Sequence, residues 1–345
     1  MKSAYLIEPG IIELREIAIP EPADGEIVVK IMAANTCGTD YKMYRRGYNL
    51  LKFPIRFGHE FSGIVVKLGK NVTNFSEGDE IMSVQSAPCL ECRYCKKGLP
   101  NLCTTIVETM AFGAFAEYLK LPSRIVKTNV YKKPKNLMFE TAALLEPLSC
   151  VVHGIQNLNL ENVEKILIFG AGPIGLMFVN ILAKVHHKTV VVVELNEFRR
   201  NLAINLGANL ALNPSSISNS VMYNIVRKHQ NEYLPEIVIE ATGNSVVFDA
   251  AFNCLDLGGQ FLFFSGPVRD TAYNLDVFKT HYNHNTIKGV FHLTPDSVFE
   301  ARELLLSGKL DIDKLLTGSA TLDQLPEIFA NPPANSIKTT IYPNI

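Results

Sequence analysis

Lys165-Ile166-Leu167-Ile168-Phe169 runs without interruption into Gly170-Ala171-Gly172-Pro173-Ile174-Gly175, and then into an apolar stretch of helical period that reaches about residue 185. No other stretch leaves the backbone so little choice. An apolar run of this length, closed by glycine, reads as a buried strand. The first glycine then makes a tight turn, the second lets backbone approach a pyrophosphate, and the third lets the helix pack closely on the strand. Free N–H groups and the dipole at the helix N-terminus favour an anion there. On their own the three glycines are as compatible with a plain turn; the strand before and the helix after give them weight. Gly170, Gly172, Pro173, Ile174 and Gly175 are therefore candidate cofactor-binding residues.

The chain keeps this texture downstream. Thr189–Glu194 reads as a strand, Glu197 to Leu206 as a helix stopped by Gly207, and Ile237–Glu240 and Gln260–Phe264 as further strands. Strands alternating with helices argue for a parallel sheet covered on both faces. Glu194, at the end of the second of these strands, can accept hydrogen bonds from adenosine ribose hydroxyls and would repel a 2′-phosphate, which favours NAD over NADP. An isolated glutamate there would be a solvated strand end; its distance from the glycines makes the ribose role the better reading. Arg199 follows closely and can stack on adenine.

Before residue 150 or so the chain is different. Short apolar runs such as Ile27–Ile31 and Ile64–Leu68 are separated by turn chemistry, for example Ala23-Asp24-Gly25 and Glu77-Gly78-Asp79, so this part reads as β-rich. After Gly289 come a helix over Ser297–Leu306 and short ambiguous segments, too little for a domain of their own. The 345 residues suffice for two domains. Net charge is −1, with no cluster of Lys and Arg beyond short pairs, which argues against nucleic acid and anionic membrane as partners. No apolar run approaches the ~18 residues that span a bilayer. Glu8 and Pro9 interrupt what a signal peptide would keep apolar, so the expected location is the cytoplasm.

Four of the seven cysteines crowd into Cys89-x2-Cys92-x2-Cys95-x7-Cys103. In a reducing compartment that density points to metal rather than disulfides, and four sulfurs around one ion leave no open position, so this zinc would be structural. A nucleic-acid-binding finger would need basic residues beyond Arg93, Lys96 and Lys97, and a recognition helix. A second constellation joins Cys37-Gly38-Thr39-Asp40 to Gly58-His59-Glu60. Thiol, imidazole and carboxylate together suit a catalytic zinc, which keeps its fourth position open. Asp40 reads either as the hydrogen-bond partner of the far nitrogen of His59 or as a turn cap.

With these features in hand, the chain resembles the zinc-dependent medium-chain alcohol dehydrogenases, and within them the sorbitol and threonine dehydrogenase branch. The resemblance covers almost the whole length. It rests on Cys37–Asp40, Gly58–Glu60, the four-cysteine lobe, Gly113-Ala114-Phe115-Ala116-Glu117-Tyr118, Glu146-Pro147-Leu148, Gly170–Gly175 and Lys288-Gly289-Val290-Phe291. It implies an α/β protein: a GroES-like β-rich catalytic domain over 1–152 and 290–345, and a Rossmann doubly wound parallel sheet over 153–289, with the active site in the cleft. Dimers or tetramers are common in the family.

The resemblance also implies roles. Zinc held by Cys37, His59 and a glutamate would act as a Lewis acid on the oxygen of an alcohol or polyol that gives hydride to NAD. Glu60 and Glu146 compete for the third place, and Cys150 beside them reads as buried filler. Thr39 matches a hydroxyl that touches substrate and starts a proton relay, and His153 falls at a family histidine that is as readily structural as functional. Ser265, Gly266, Val290 and Phe291 are further cofactor candidates. Two departures stand out: Lys42 replaces a histidine that extends the relay in some relatives, and His292-Leu293 replaces an Arg-Tyr pair that binds polyol hydroxyls in sorbitol dehydrogenases. The expected reaction is oxidation of a polyol-like or cyclitol-like secondary alcohol to its ketone, with two zinc ions per chain. The alternatives are an L-threonine or sugar-phosphate substrate, or a zinc-stabilised nucleotide-binding protein without catalysis.

Overall fold

The computed structural model describes residues 1–47, 51–216, 219–229 and 233–345. Two apolar runs of the N-terminal half prove to be the cores of longer strands, Ile27–Asn35 and Glu60–Leu68, paired antiparallel from Ile27 opposite Leu68 to Asn35 opposite Glu60. The second strand begins earlier than its apolar run because Ser62 and Gly63 are also buried in the ladder, where Gly63 passes so close to the Lys30 carbonyl that a Cβ would lie 2.1 Å from it.

The chain divides into two compact units, one of Met1–Cys150, Leu293–Ser307 and Ile312–Ile345, the other of Val151–His292 and Gly308–Asp311. In the first, a seven-stranded sheet runs in the order Leu316–Thr321, Lys338–Tyr342, Ile27–Asn35, Glu60–Leu68, Glu80–Ser83 and Val130–Lys132, with Tyr118–Leu121 also pairing on Ile27–Asn35. A smaller sheet joins Ile11–Glu16, Lys2–Glu8 and Ile55–Arg56. The ambiguous C-terminal segments are thus two strands, parallel to each other, the last lying antiparallel against the end of Ile27–Asn35. The core of this unit gathers Phe57, Phe61, Phe115 and Phe329 with Met43 and Ile341. Phe329 lies 5.0 Å from Phe57 between ring centroids, so the C-terminal helix Leu325–Ala330 is held by aromatic packing as well as area.

The second unit is a six-stranded sheet in the order Leu210–Leu212, Thr189–Val193, Lys165–Phe169, Ile237–Glu240, Gln260–Phe263 and Thr286–Gly289, parallel throughout. Lys165–Phe169 is buried along its whole length, as a central strand covered on both faces must be. The chain leaves it in opposite lateral directions for Thr189–Val193 and Ile237–Glu240, which makes the carboxyl end of this strand the switch point where open α/β sheets bind ligands. Cys254 closes the helix Phe248–Asn253, which ends one residue before it. Among the described residues no helix is long and apolar enough to cross a membrane.

Candidate active site

Cys37 is placed by the helix it starts. Its Sγ accepts from the Thr39 N–H at 3.4 Å, and the Asp40 carboxylate accepts from the Cys37 N–H at 3.0 Å, a reciprocal cap on Gly38–Arg46. The thiol therefore sits at a helix N-terminus, where thiolate is favoured. His59 and Glu60 arrive from the turn at Gly58, whose φ of +89 and close approach to Phe115 exclude a side chain.

One ligand atom from each of Cys37, His59 and Glu60 lies within 4.8 Å of the others. Behind them, Asp40 Oδ1 faces His59 Nδ1 at 2.9 Å, both buried. One Asp40 oxygen thus caps the helix while the other faces the imidazole. Burial alone disfavours a charged imidazole, but Asp40 and Cys37 overcome it and hold the His59 pKa well above its usual value. Burial and the Glu60 charge push the Cys37 thiol up. Burial also raises Glu60, to about 7, against the pull of Lys338 and with a further push from Glu146. Anionic donors crowded in this way are costly together unless a cation lies among them, so the set fits a zinc ion.

Lys338 was not anticipated. Its Nζ reaches Glu60 Oε1 at 2.7 Å and the Thr36 carbonyl at 3.0 Å, and it is 1% exposed. Burial works against its charge, while Glu60 and Cys37 restore it and leave the pKa raised. A lone lysine in Ile337-Lys338-Thr339-Thr340-Ile341 carries no local sign of burial; only the strand pairing brings it here. Gln85, also not anticipated, donates from Nε2 to Glu146 Oε1 at 2.8 Å. Glu146 itself lies in the helix Leu145–Gln156 and is 5% exposed; it stands outside the three-residue cluster, with the Cys150 Sγ 3.8 Å from the same Oε1. Thr39 and Lys42 are both half-buried on the capped helix, so Lys42 is less exposed than a surface lysine.

In the lobe, Cys89, Cys92, Cys95 and Cys103 also lie within 4.8 Å of one another by their sulfurs. Sulfurs at about 2.3 Å from one tetrahedral zinc stand about 3.8 Å apart. Cys92 to Cys95 is 3.5 Å and Cys89 to Cys95 is 4.0 Å. Backbone N–H groups at Cys95 and Thr104 hold the Cys92 thiol down to about 5, while burial and the neighbouring Cys92 push Cys95 up to about 12. The donor set fits a second ion.

Of the cofactor candidates, Gly170 has φ +96, and a Cβ on Gly175 would lie 1.9 Å from the Gly170 carbonyl oxygen. Gly172 precedes the helix Pro173–Lys184 with open space at its Cβ position. Glu194 Oε2 accepts from the Ala171 N–H at 2.8 Å and Oε1 from the Asn196 N–H at 2.9 Å, so the carboxylate already braces the glycine turn. The Arg199 N–H donates to the Asn196 cap at 3.0 Å. The Ser265 N–H donates to the Glu240 carbonyl at 3.3 Å, Gly266 is exposed, and the Val290 N–H donates to Phe263 at 3.2 Å. Phe291 is 41% exposed and stacks on His292. His153 is half-buried, and burial together with Lys288 lowers its pKa.

Two family models match the chain: an alcohol dehydrogenase GroES-like domain over residues 23–135 and a zinc-binding dehydrogenase over residues 173–307. Among curated proteins, an L-threonine 3-dehydrogenase of Pseudoalteromonas translucida is 30% identical over 323 residues, covering 92% of this chain and 91% of its own. A probable D-xylulose reductase A of Aspergillus clavatus is 28% identical over 344 residues, covering 96% and 93%. Among solved structures, a zinc-binding dehydrogenase of Sinorhizobium meliloti bound to NADP superposes with a TM-score of 0.89 at 27% identity, covering 99% of each chain.

Proposed function

The chain belongs to the zinc-dependent medium-chain alcohol dehydrogenases, in their sorbitol and threonine dehydrogenase branch, and from that premise we propose that it interconverts a polyol-like or cyclitol-like secondary alcohol and its ketone with NAD. The observation that carries the reading is the buried meeting of Cys37, His59 and Glu60 with Asp40 behind the imidazole. A module that only bound nucleotide would have no use for it. When bound, zinc supplies a Lewis acid for the substrate oxygen and the nicotinamide ring an acceptor for the hydride.

The chain's own residues do the rest. Cys37, His59 and either Glu60 or Glu146 hold the catalytic ion, and Asp40 keeps His59 in the tautomer that leaves Nε2 free to ligate. Cys89, Cys92, Cys95 and Cys103 hold a second, structural ion. Thr39 Oγ1 takes the alcohol's proton and passes it to water, because Lys42 occupies the place of a relay histidine. Gly170–Gly175 and the helix they open carry the pyrophosphate, Arg199 stacks on adenine, and Ser265, Gly266, Val290 and Phe291 line the remaining path of the cofactor. Glu194 accepts the ribose hydroxyls, which is the support for NAD over NADP.

The substrate is the narrower question. His292-Leu293 in place of an Arg-Tyr pair weighs against sorbitol itself. A threonine-type hydroxy amino acid is the second reading, favoured by relatives at 30% identity that bear that name. We place the enzyme in a reducing cytoplasm, where seven cysteines stay out of disulfides, and as a homodimer or homotetramer after the family habit. NADH formation across polyols, cyclitols, hydroxy amino acids and simple secondary alcohols tests the function; silence from all of them with both NAD and NADP would refute it.

A further inference from the structure

Gln85 lies just ahead of the cysteine lobe and is 4% exposed. Because its Nε2 is committed to Glu146 Oε1, the other end of the amide is an acceptor, and Gln85 Oε1 is buried without a hydrogen-bond partner. An orphaned buried acceptor costs stability, and native chains keep few of them outside functional sites. Its position is informative. The Gln85 carbonyl accepts the Ala111 N–H at 2.8 Å, and Phe112, next along, sets its ring edge-on to His59 with centroids 6.1 Å apart. Glu146, which the amide Nε2 holds, is near enough to the ligand cluster for its charge to be felt at Glu60. The free acceptor thus belongs to a residue whose backbone is joined to the segment packed on His59 and whose amide holds a carboxylate felt at Glu60.

We propose that Gln85 determines the class of substrate: its Oε1 accepts a hydrogen bond from a second donor group of the substrate, a hydroxyl or an ammonium, besides the alcohol that is oxidised. Its Nε2 meanwhile keeps Glu146 in place. The inference rests on the alcohol oxidation proposed for the Cys37, His59 and Glu60 cluster. A plain hydrocarbon substituent would leave the acceptor unpaired, and a phosphate or carboxylate would be repelled by it. The residue thus separates polyhydroxylated and amino alcohols from simple secondary alcohols, where an unmet buried polar group is the discriminating device.

The test compares kcat/KM for a vicinal diol, the matching amino alcohol and the mono-alcohol that lacks the second group, each on wild-type holoenzyme and on Gln85→Leu. Ratios are taken on one preparation, so a poorly metallated or partly folded sample still reports them. Wild type should favour at least one difunctional substrate, and the variant should lower that ratio roughly tenfold, the worth of one hydrogen bond. Calorimetric binding of the corresponding hydroxyketone or aminoketone to the enzyme with NADH should weaken by a similar factor. Loss confined to the diol or to the amino alcohol names the group received. Should Gln85→Leu not accumulate, Gln85→Met, unbranched and of similar length, is read in its place. An unchanged ratio, or a wild-type preference for the mono-alcohol, overturns the inference. A protein that oxidises none of the three is a distinct result, and it overturns the proposed function together with this deduction from it.

Discussion

Lys338 and Glu60 stand 278 positions apart in sequence and meet in one buried ion pair, with the lysine Nζ 2.7 Å from Oε1. The pair ties the last strand of the chain to the strand that carries a candidate zinc ligand. Charges taken this far out of water depend on each other, and removing one leaves the other uncompensated. Lys338→Met should therefore lower the unfolding free energy by about 3–5 kcal/mol. In metal-free protein, Lys338→Met combined with Glu60→Gln should recover most of that loss, because both charges are then gone. Urea unfolding of the single and double variants reads the difference; equal losses would mean that the pairing is incidental.

Metal content follows from the two clusters. Wild-type protein should carry two zinc ions per chain by elemental analysis. Cys92→Ser removes one sulfur from a closed four-sulfur site and should bring the value near one, with the remaining ion lost only on further substitution of His59. A Cys92→Ser protein that keeps both ions would show that the lobe is held together without metal. The same variant should be cut faster by protease within residues 89–103, since the helical turns of that loop are three or four residues long and Leu90, Tyr94, Leu99 and Leu102 are exposed.

Glu194 offers a prediction about the cofactor. It now accepts hydrogen bonds from Ala171 and Asn196, and in the proposed complex its carboxylate also meets the ribose hydroxyls. Glu194→Ala should raise the Kd for NADH by about tenfold or more, the worth of a charge-assisted hydrogen bond. The Kd for NADPH should rise less or fall, because the charge that repels its 2′-phosphate is gone. Nicotinamide fluorescence measures both. Equal weakening of the two would make Glu194 a brace for the turn and nothing more.

Much of this could be seen in the chain itself, for reasons that differ from place to place. Lys165–Phe169 and Ile237–Glu240 were legible because strands buried on both faces are apolar apart from an end residue, here Lys165 and Glu240, so their bounds lie within one residue of the apolar runs. Glu60–Leu68 was legible only from Ile64 onward, since apart from Phe61 its first residues are polar or glycine and are buried by ladder pairing and by the site. Cys37, His59 and Glu60 could be brought together because the chemistry demands it. Lys338–Tyr342 could not, because Lys-Thr-Thr reads as a solvated segment; its burial depends on partners hundreds of residues away. Gln85 is silent for the same reason, as an amide acquires a role only from what stands opposite it.

Cys254 gives the chain a pH dependence separate from either metal cluster. It is 1% exposed, and burial pushes its thiol from the ordinary 9.0 up to about 11, against a smaller pull from Lys279. In the unfolded chain the thiol ionises near its ordinary value, while in the folded chain it stays protonated until about pH 11. The unfolded state thus releases its proton first as pH rises. Stability from the neutral thiol is fully present below about pH 9 and lost as pH rises through about 11, to the extent of about 2–3 kcal/mol. Cys254→Ala has no such group to ionise. Its unfolding free energy, measured in urea at pH 8 and again near pH 11, should fall less than that of wild type, and the subtraction cancels every other group that titrates in the range. Equal falls in the two proteins would mean that the Cys254 thiol ionises in the folded state as readily as in water.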